Sequence, residues 1–169
     1  MAIHLEGRAR LVGDDVNTEY IIASSRKRES LDAGVLRDYL LEAVDPTFAG
    51  SVRPGDLLVA GRNFGCGSAM EVAATVILAA GIPAVLAASF ARTFYRNAVN
   101  NALVPVQCDT SAIREGDQLS VDLDARGATV RNTTTGLATS AIALPPIMLD
   151  ILQAGGVVPY VKQHGRFRV

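Results

Sequence analysis

Apolar and polar residues alternate from Ile3 to Val12, the period of a strand with one covered face. Gly13-Asp14-Asp15 supplies turn chemistry, and residues 17–22 read as a short extended piece. Residues 24–30 are polar and basic and predict a loop. Val35, Leu36, Tyr39 and Leu40 recur at helical spacing. Pro54-Gly55-Asp56 is a turn ahead of Leu57-Leu58-Val59-Ala60, a short apolar run of the kind that forms a buried strand. A glycine-rich loop follows, Gly61 to Ser68. It leads into an alanine-rich helix over about 69–80, which Gly81 should end. Residues 83–88 predict a second buried strand. Ser89 is placed to cap a helix over 90–100, and residues 103–106 form a third strand. Strand, loop, helix, strand, helix, strand is a βαβαβ unit, hence a parallel sheet with helices on its faces.

The last third changes character. Residues 117–123, 128–132 and 139–144 predict short β segments, the first two joined by a hairpin turn at Arg126-Gly127. Pro145-Pro146 opens a last helix over 147–154, closed by Gly155-Gly156. The fold class is α/β, a mostly parallel sheet with flanking helices plus a β-rich C-terminal portion. With no repeat and no low-complexity linker, residues 1–169 read as one domain.

Composition narrows the function. Apolar residues make up 49% of the 169 and aromatics 5%, so the core must be aliphatic and alanine-rich. Lys plus Arg total 16 against 17 Asp plus Glu, a net charge of −1 that argues against nucleic acid as partner. The one local cluster is Arg26-Lys27-Arg28, too small to track a polyanion and sufficient for one small anion. Two cysteines, Cys66 and Cys108, are too few for a disulfide scaffold and cannot supply the thiolates of an iron–sulfur cluster. The start of the chain is polar and alternating, unlike a signal peptide. The longest apolar run, 72–86, is broken by Thr75, Gly81 and Pro83 and is too short to span a bilayer. A cytoplasmic location and no membrane partner are expected.

The most informative stretch is NFGCGSAMEVA, Asn63 to Ala73. Ser68, followed three residues later by Glu71, has the form of a capping box. Gly65 and Gly67 permit backbone shapes other residues resist. Exposed N–H groups at a helix start favour an anion, so a carboxylate or phosphate would fit there. The same residues also describe an ordinary capped helix after a tight turn. Cys66 has no Cys or His companion, since His4 and His164 lie near the two termini, and reads as an inert thiol. Cys108 is assigned no role. Arg92 and Arg96 share a helix face beside Asn97, Asn100 and Asn101. That face is a polar binding face, a solvated face or a subunit contact.

NFGCGSAMEVA resembles the NFGCGSSREHA signature of the small subunits of 3-isopropylmalate dehydratase and homoaconitase, relatives of the swivelling domain of aconitase. Three further stretches agree in order. GDDVNTEYII (Gly13 to Ile22) resembles GDNIDTDxII, SFARTFYRNAVNNALVPV (Ser89 to Val106) resembles SFARIFYRNAINNGLLPI, and ILQAGGVVPYVK (Ile151 to Lys162) resembles ILEAGGLVPYVK. The resemblance implies an aconitase-like swivelling β/β/α domain. It also implies a hydro-lyase active only with a large subunit that carries a [4Fe-4S] cluster, this chain binding no cofactor. The reaction implied is removal and readdition of water on a small hydroxylated di- or tricarboxylate. A serine alkoxide takes the proton alpha to a carboxylate, and that serine maps onto Ser68, with Gly67, Ala69 and Met70 beside the substrate.

The chain departs from the family at two places after that serine, one of them Val72, where relatives usually carry His or Trp after Glu71. Where relatives carry Ser-Arg after that serine, Ala69-Met70 stands here, and Met70 cannot grip a carboxylate as a guanidinium does. The basic stretch after Ile21-Ile22 corresponds to a family segment that faces the site and tunes substrate choice. Either Arg26 or Lys27 replaces the missing charge, or the substrate presents an apolar group at this point, or the activity is lost; a solvated loop accounts for the same two basic residues. Three readings follow: a small subunit acting on 2-isopropylmalate in leucine biosynthesis, the same reaction on homoaconitate or another alkyl-malate, or a non-catalytic binding module.

Overall fold

The computed structural model describes residues 2–168. Seven strands form one sheet in the order β4-β3-β2-β1-β5-β6-β7. They are β1 Ala2–Leu11, β2 Leu57–Ala60, β3 Ala84–Ala87, β4 Val104–Gln107, β5 Gln118–Asp124, β6 Gly127–Asn132 and β7 Ala138–Ala141. β1 to β4 pair in parallel, and β1, β5, β6 and β7 pair antiparallel. The expected βαβαβ unit and the late β segments are all present. An isolated bridge between Cys108 and Ala141, with Ile142 N–H donating to Gln107 C=O at 2.9 Å, draws the two outer strands together and curls the sheet.

Both faces of the parallel half are covered. In β2, Leu58 and Ala60 point to one core, with Ile21, Leu40, Phe64 and Ile77. Leu57 and Val59 point to the other, with Val106, Val121, Leu152 and Tyr160. That period of two explains why β2 and β3 read as uninterrupted apolar runs rather than alternating ones.

The helices are α1 Thr18–Ile21, α2 Ser24–Glu29, α3 Ala33–Leu36, α4 Phe48–Ser51, α5 Glu71–Ala79, α6 Arg92–Asn100, α7 Pro146–Gln153 and α8 Val157–His164. Several differ from the sequence expectation. Residues 17–22 are not extended, because the Asn17 side chain accepts the Tyr20 N–H at 2.9 Å and caps α1. Residues 24–30 are not a loop: Glu19 accepts both the Ser24 N–H (2.7 Å) and the Ser24 hydroxyl (2.6 Å), satisfying the start of α2 from outside the helix. The three basic residues then fall in its last turn, where the helix dipole favours them. Ser89 does not cap α6. Its hydroxyl accepts the Asn63 N–H at 2.8 Å instead, and α6 starts at Arg92.

β1 is the hinge between the two halves of the sheet, pairing with β5 over 2–8 and with β2 over 9–11. A charge network sits at that junction. Arg8 donates to both oxygens of Asp56 (3.1 and 2.7 Å). Arg10 reaches Asp56 at 3.5 Å and Glu115 at 2.7 Å, and lies 4.6 Å over the Phe48 ring. Asp56 is 3% exposed. Burial pushes its carboxyl pKa up, but hydrogen bonds from Arg8 and the Arg53 N–H, and the charges of Arg8 and Arg10, outweigh that and hold it below the ordinary value. Removing the carboxylate strands two cations, so Asp56→Ala is expected to cost about 3 kcal/mol in denaturant melts. A folded-state pKa below the unfolded one adds stability that is full above about pH 5 and disappears as the pH falls through the folded-state value. The melting gap between wild type and Asp56→Asn should therefore be constant near neutrality and narrow in acid.

Candidate functional site

The glycine-rich loop leaves the C-terminal end of β2 and is fastened along its length. Arg62 N–H donates to Asp14 at 2.7 Å, and Asn63 Nδ2 donates to Asp15 at 2.9 Å. Phe64 pairs with the entry to α6, its N–H donating to Ser89 C=O (3.0 Å) and its C=O accepting from Ala91 N–H (2.9 Å). Gly65 has φ +79°, and a Cβ there would collide with the Phe94 side chain, so both backbone and space demand glycine. Gly65 N–H donates to Val16 C=O at 2.8 Å, and Cys66 C=O accepts from Thr18 N–H at 2.9 Å. Gly67 turns the chain again at φ +89°.

Ser68 emerges from this frame exposed. The capping box is not formed. An N-cap residue must give its C=O to the first helical turn, but the Ser68 C=O accepts from the buried Thr18 hydroxyl at 2.8 Å. Met70, extended at φ −131°, ψ 109°, takes the N-cap position with no side-chain cap, and α5 begins at Glu71. The Ser68 hydroxyl makes no hydrogen bond among the described residues, and the first turn of α5 has no side-chain acceptor. The Ser68 hydroxyl is thus left unspent, close in sequence to an uncapped helix start.

Gly67 and Ala69 flank Ser68 on the surface, while Met70 is 9% exposed. Lys27 reaches it, with Nζ 2.6 Å from the Met70 sulfur. Of the two cations named from the sequence, the fold thus brings Lys27 to the loop. Arg26 turns elsewhere. Its Nε and Nη2 donate to the two oxygens of Glu42 (2.8 and 3.1 Å), and its guanidinium lies 3.9 Å over the Tyr39 ring. Thr18, Tyr39 and Glu42 were not foreseen as site residues. Thr18 lies within a stretch already noted for its resemblance, whereas no sequence signal joins Arg26 to Glu42, sixteen positions away.

The other candidates fall apart. Cys66 is half-buried in the loop. Cys108 is buried at the end of β4, and burial together with Asp109 pushes its thiol pKa up to about 11. Among the described residues no group of three or more His, Cys, Asp or Glu side chains could hold a metal ion. No described helix is long and apolar enough to cross a membrane. Arg92 and Arg96 are exposed on α6 and line a groove of about 530 Å³ with Phe90, Tyr95, Ile147 and Phe167, and this groove does not include Ser68.

The chain matches the aconitase C-terminal domain over residues 24–111. It is 43% identical to 3-isopropylmalate dehydratase small subunit 2 of Archaeoglobus fulgidus over 96% of this chain and 98% of the relative. It is 39% identical to the isopropylmalate/citramalate isomerase small subunit of Methanocaldococcus jannaschii over 94% of each. A crystal structure of 3-isopropylmalate dehydratase from that organism superposes with a TM-score of 0.89 at 38% identity, covering 96% of both chains.

Proposed function

The chain belongs to the aconitase C-terminal domain family, among the 3-isopropylmalate dehydratase small subunits, and on that premise we propose that its Ser68 is the proton-transferring base of a hydro-lyase completed by a large subunit. The observation that carries this reading is the loop itself: Ser68 is presented on a rigid frame with its hydroxyl free, ahead of an uncapped α5.

Each residue has a defined task. Ser68 Oγ, as alkoxide, takes the proton from the carbon alpha to a substrate carboxylate and returns it during rehydration. The positive end of α5 and the backbone N–H groups after Gly67 stabilise that alkoxide. Lys27 holds the carboxylate on which negative charge grows as the proton leaves. Met70 offers an apolar wall beside it. Thr18, through the Ser68 carbonyl, fixes where the base sits. The large subunit's iron–sulfur centre would supply the Lewis acid for the departing hydroxyl. Ser68 lies on open surface here, and an alkoxide base needs water excluded, so the remaining walls belong to the partner.

The favoured substrate is 2-isopropylmalate, within leucine biosynthesis. One cation bordering an apolar side chain suits a carboxylate next to an alkyl branch. Other alkyl-malates, citramalate included, are the second reading, supported by the same Met70. The test is co-expression with the cognate large subunit, anaerobic reconstitution and assay of 2-isopropylmalate beside citramalate and homoaconitate. Turnover of 2-isopropylmalate by the complex and none by this chain alone is expected. A stable complex that turns over no hydroxy acid would sink the proposal.

A further inference from the structure

We propose that Arg26 is a positioning residue: through Glu42 and Tyr39 it sets the rotation of α2 that lays Lys27 against Met70. The inference rests on the reading of Lys27 as the carboxylate ligand and removes Arg26 from that role.

α2 has six residues and no buried side chain, so neither its length nor a hydrophobic face can fix its orientation. Glu19 hydrogen-bonds only its first residue, and its carboxylate attracts Lys27 and Arg28 without a hydrogen bond to either. What remains is Arg26. Its guanidinium meets both Glu42 oxygens as a fork, with Glu29 a further 3.7 Å contact, and stacks on Tyr39. The anchor is itself firm. Glu42 N–H donates to Tyr39 C=O at 3.2 Å, and Leu41 N–H donates to Ile21 C=O at 3.0 Å. Leu40 and Leu41 are fully buried. Neighbouring helical residues project about 100° apart. Fixing Arg26 on Glu42 therefore fixes the direction of Lys27, and that direction ends on the Met70 sulfur. A guanidinium whose fork is filled by Glu42 would have to release it before gripping a substrate carboxylate.

The first test uses the full chain with 13C-methyl methionine, which carries only Met1, Met70 and Met148 as reporters. Glu42→Gln and Arg26→Gln should move the Met70 methyl resonance in the same direction as Lys27→Gln does, Arg26→Lys should move it less, and Met148 should stay still. The second uses the assembled enzyme. Glu42→Gln should raise KM about fivefold, the upper range for a partly exposed ion pair, with kcat within about twofold. In a Lys27→Gln background the same substitution should add nothing to KM, because nothing remains to be positioned. An unmoved Met70 resonance, or an equal KM increase in both backgrounds, would overturn the proposal. If the resonance follows Glu42 while Lys27→Gln leaves KM unchanged, the positioning stands and it is the ligand role of Lys27 that fails.

Discussion

Ser68→Ala is expected to lower turnover of the assembled enzyme about 10³-fold, within the range for loss of a positioned base, while melting temperature and affinity for the large subunit stay as in wild type. The separation follows from the geometry. The Ser68 hydroxyl is exposed and makes no hydrogen bond among the described residues, so deleting it opens no cavity and strands no partner. The loop keeps its shape through Gly65, through the Thr18 hydroxyl on the Ser68 carbonyl, and through the strand-like pairing of Phe64 with the entry to α6. None of these uses the serine side chain. Stopped-flow absorbance of the unsaturated intermediate reads the chemical step, and exchange of the substrate's alpha proton with deuterated water reads proton removal alone. Both should fall together. Retained exchange in the variant would mean that another group takes the proton. A capping serine would behave in the opposite way, lowering the melting temperature with little change in rate, and that result would remove Ser68 from catalysis.

The fold was legible where local chemistry decides it. All seven strands follow from alternation or from short apolar runs between turn residues, and Gly81 ends α5 as expected, with φ +89°. The two misread caps share one cause, a long-range partner taking a group that the local pattern assigns elsewhere. Ser68 and Ser89 both look like caps. Thr18 holds the carbonyl of the first and Asn63 occupies the hydroxyl of the second, so each helix starts later than the pattern suggests. The basic stretch looks like a loop until Glu19 caps it across the turn. α8 went unread because Gly155-Gly156 marks an ending equally well as a short link between two helices. The candidate site was partly legible. The motif located Ser68 and the departure at Met70, and the requirement for a replacement charge pointed to Arg26 and Lys27. Choosing between those two needed the third dimension, because neighbouring helical residues point in different directions and nothing in the sequence joins residue 26 to residue 42.

Lys27→Gln should raise KM for 2-isopropylmalate about 30-fold, the loss of a charge-assisted hydrogen bond of about 2 kcal/mol. Most of that loss should return in the double variant Lys27→Gln/Met70→Arg. Lys27 Nζ and the Met70 sulfur lie in contact, so a guanidinium grown from position 70 enters the space the ammonium leaves, and the positive charge is relocated rather than added. Met70→Arg alone has a different consequence. Two cations then compete for one place, which is favourable only when a second carboxylate comes to separate them. That variant should lose activity toward 2-isopropylmalate and gain it, in relative terms, toward a tricarboxylate such as homoaconitate. Steady-state kinetics of the three variants on the two substrates decides the matter. Rescue by the double variant fixes the carboxylate between positions 27 and 70. No rescue, with Lys27→Gln itself impaired, would show that Lys27 acts on another part of the substrate or on the large subunit, and the apolar wall at Met70 would then stand as the selective feature on its own.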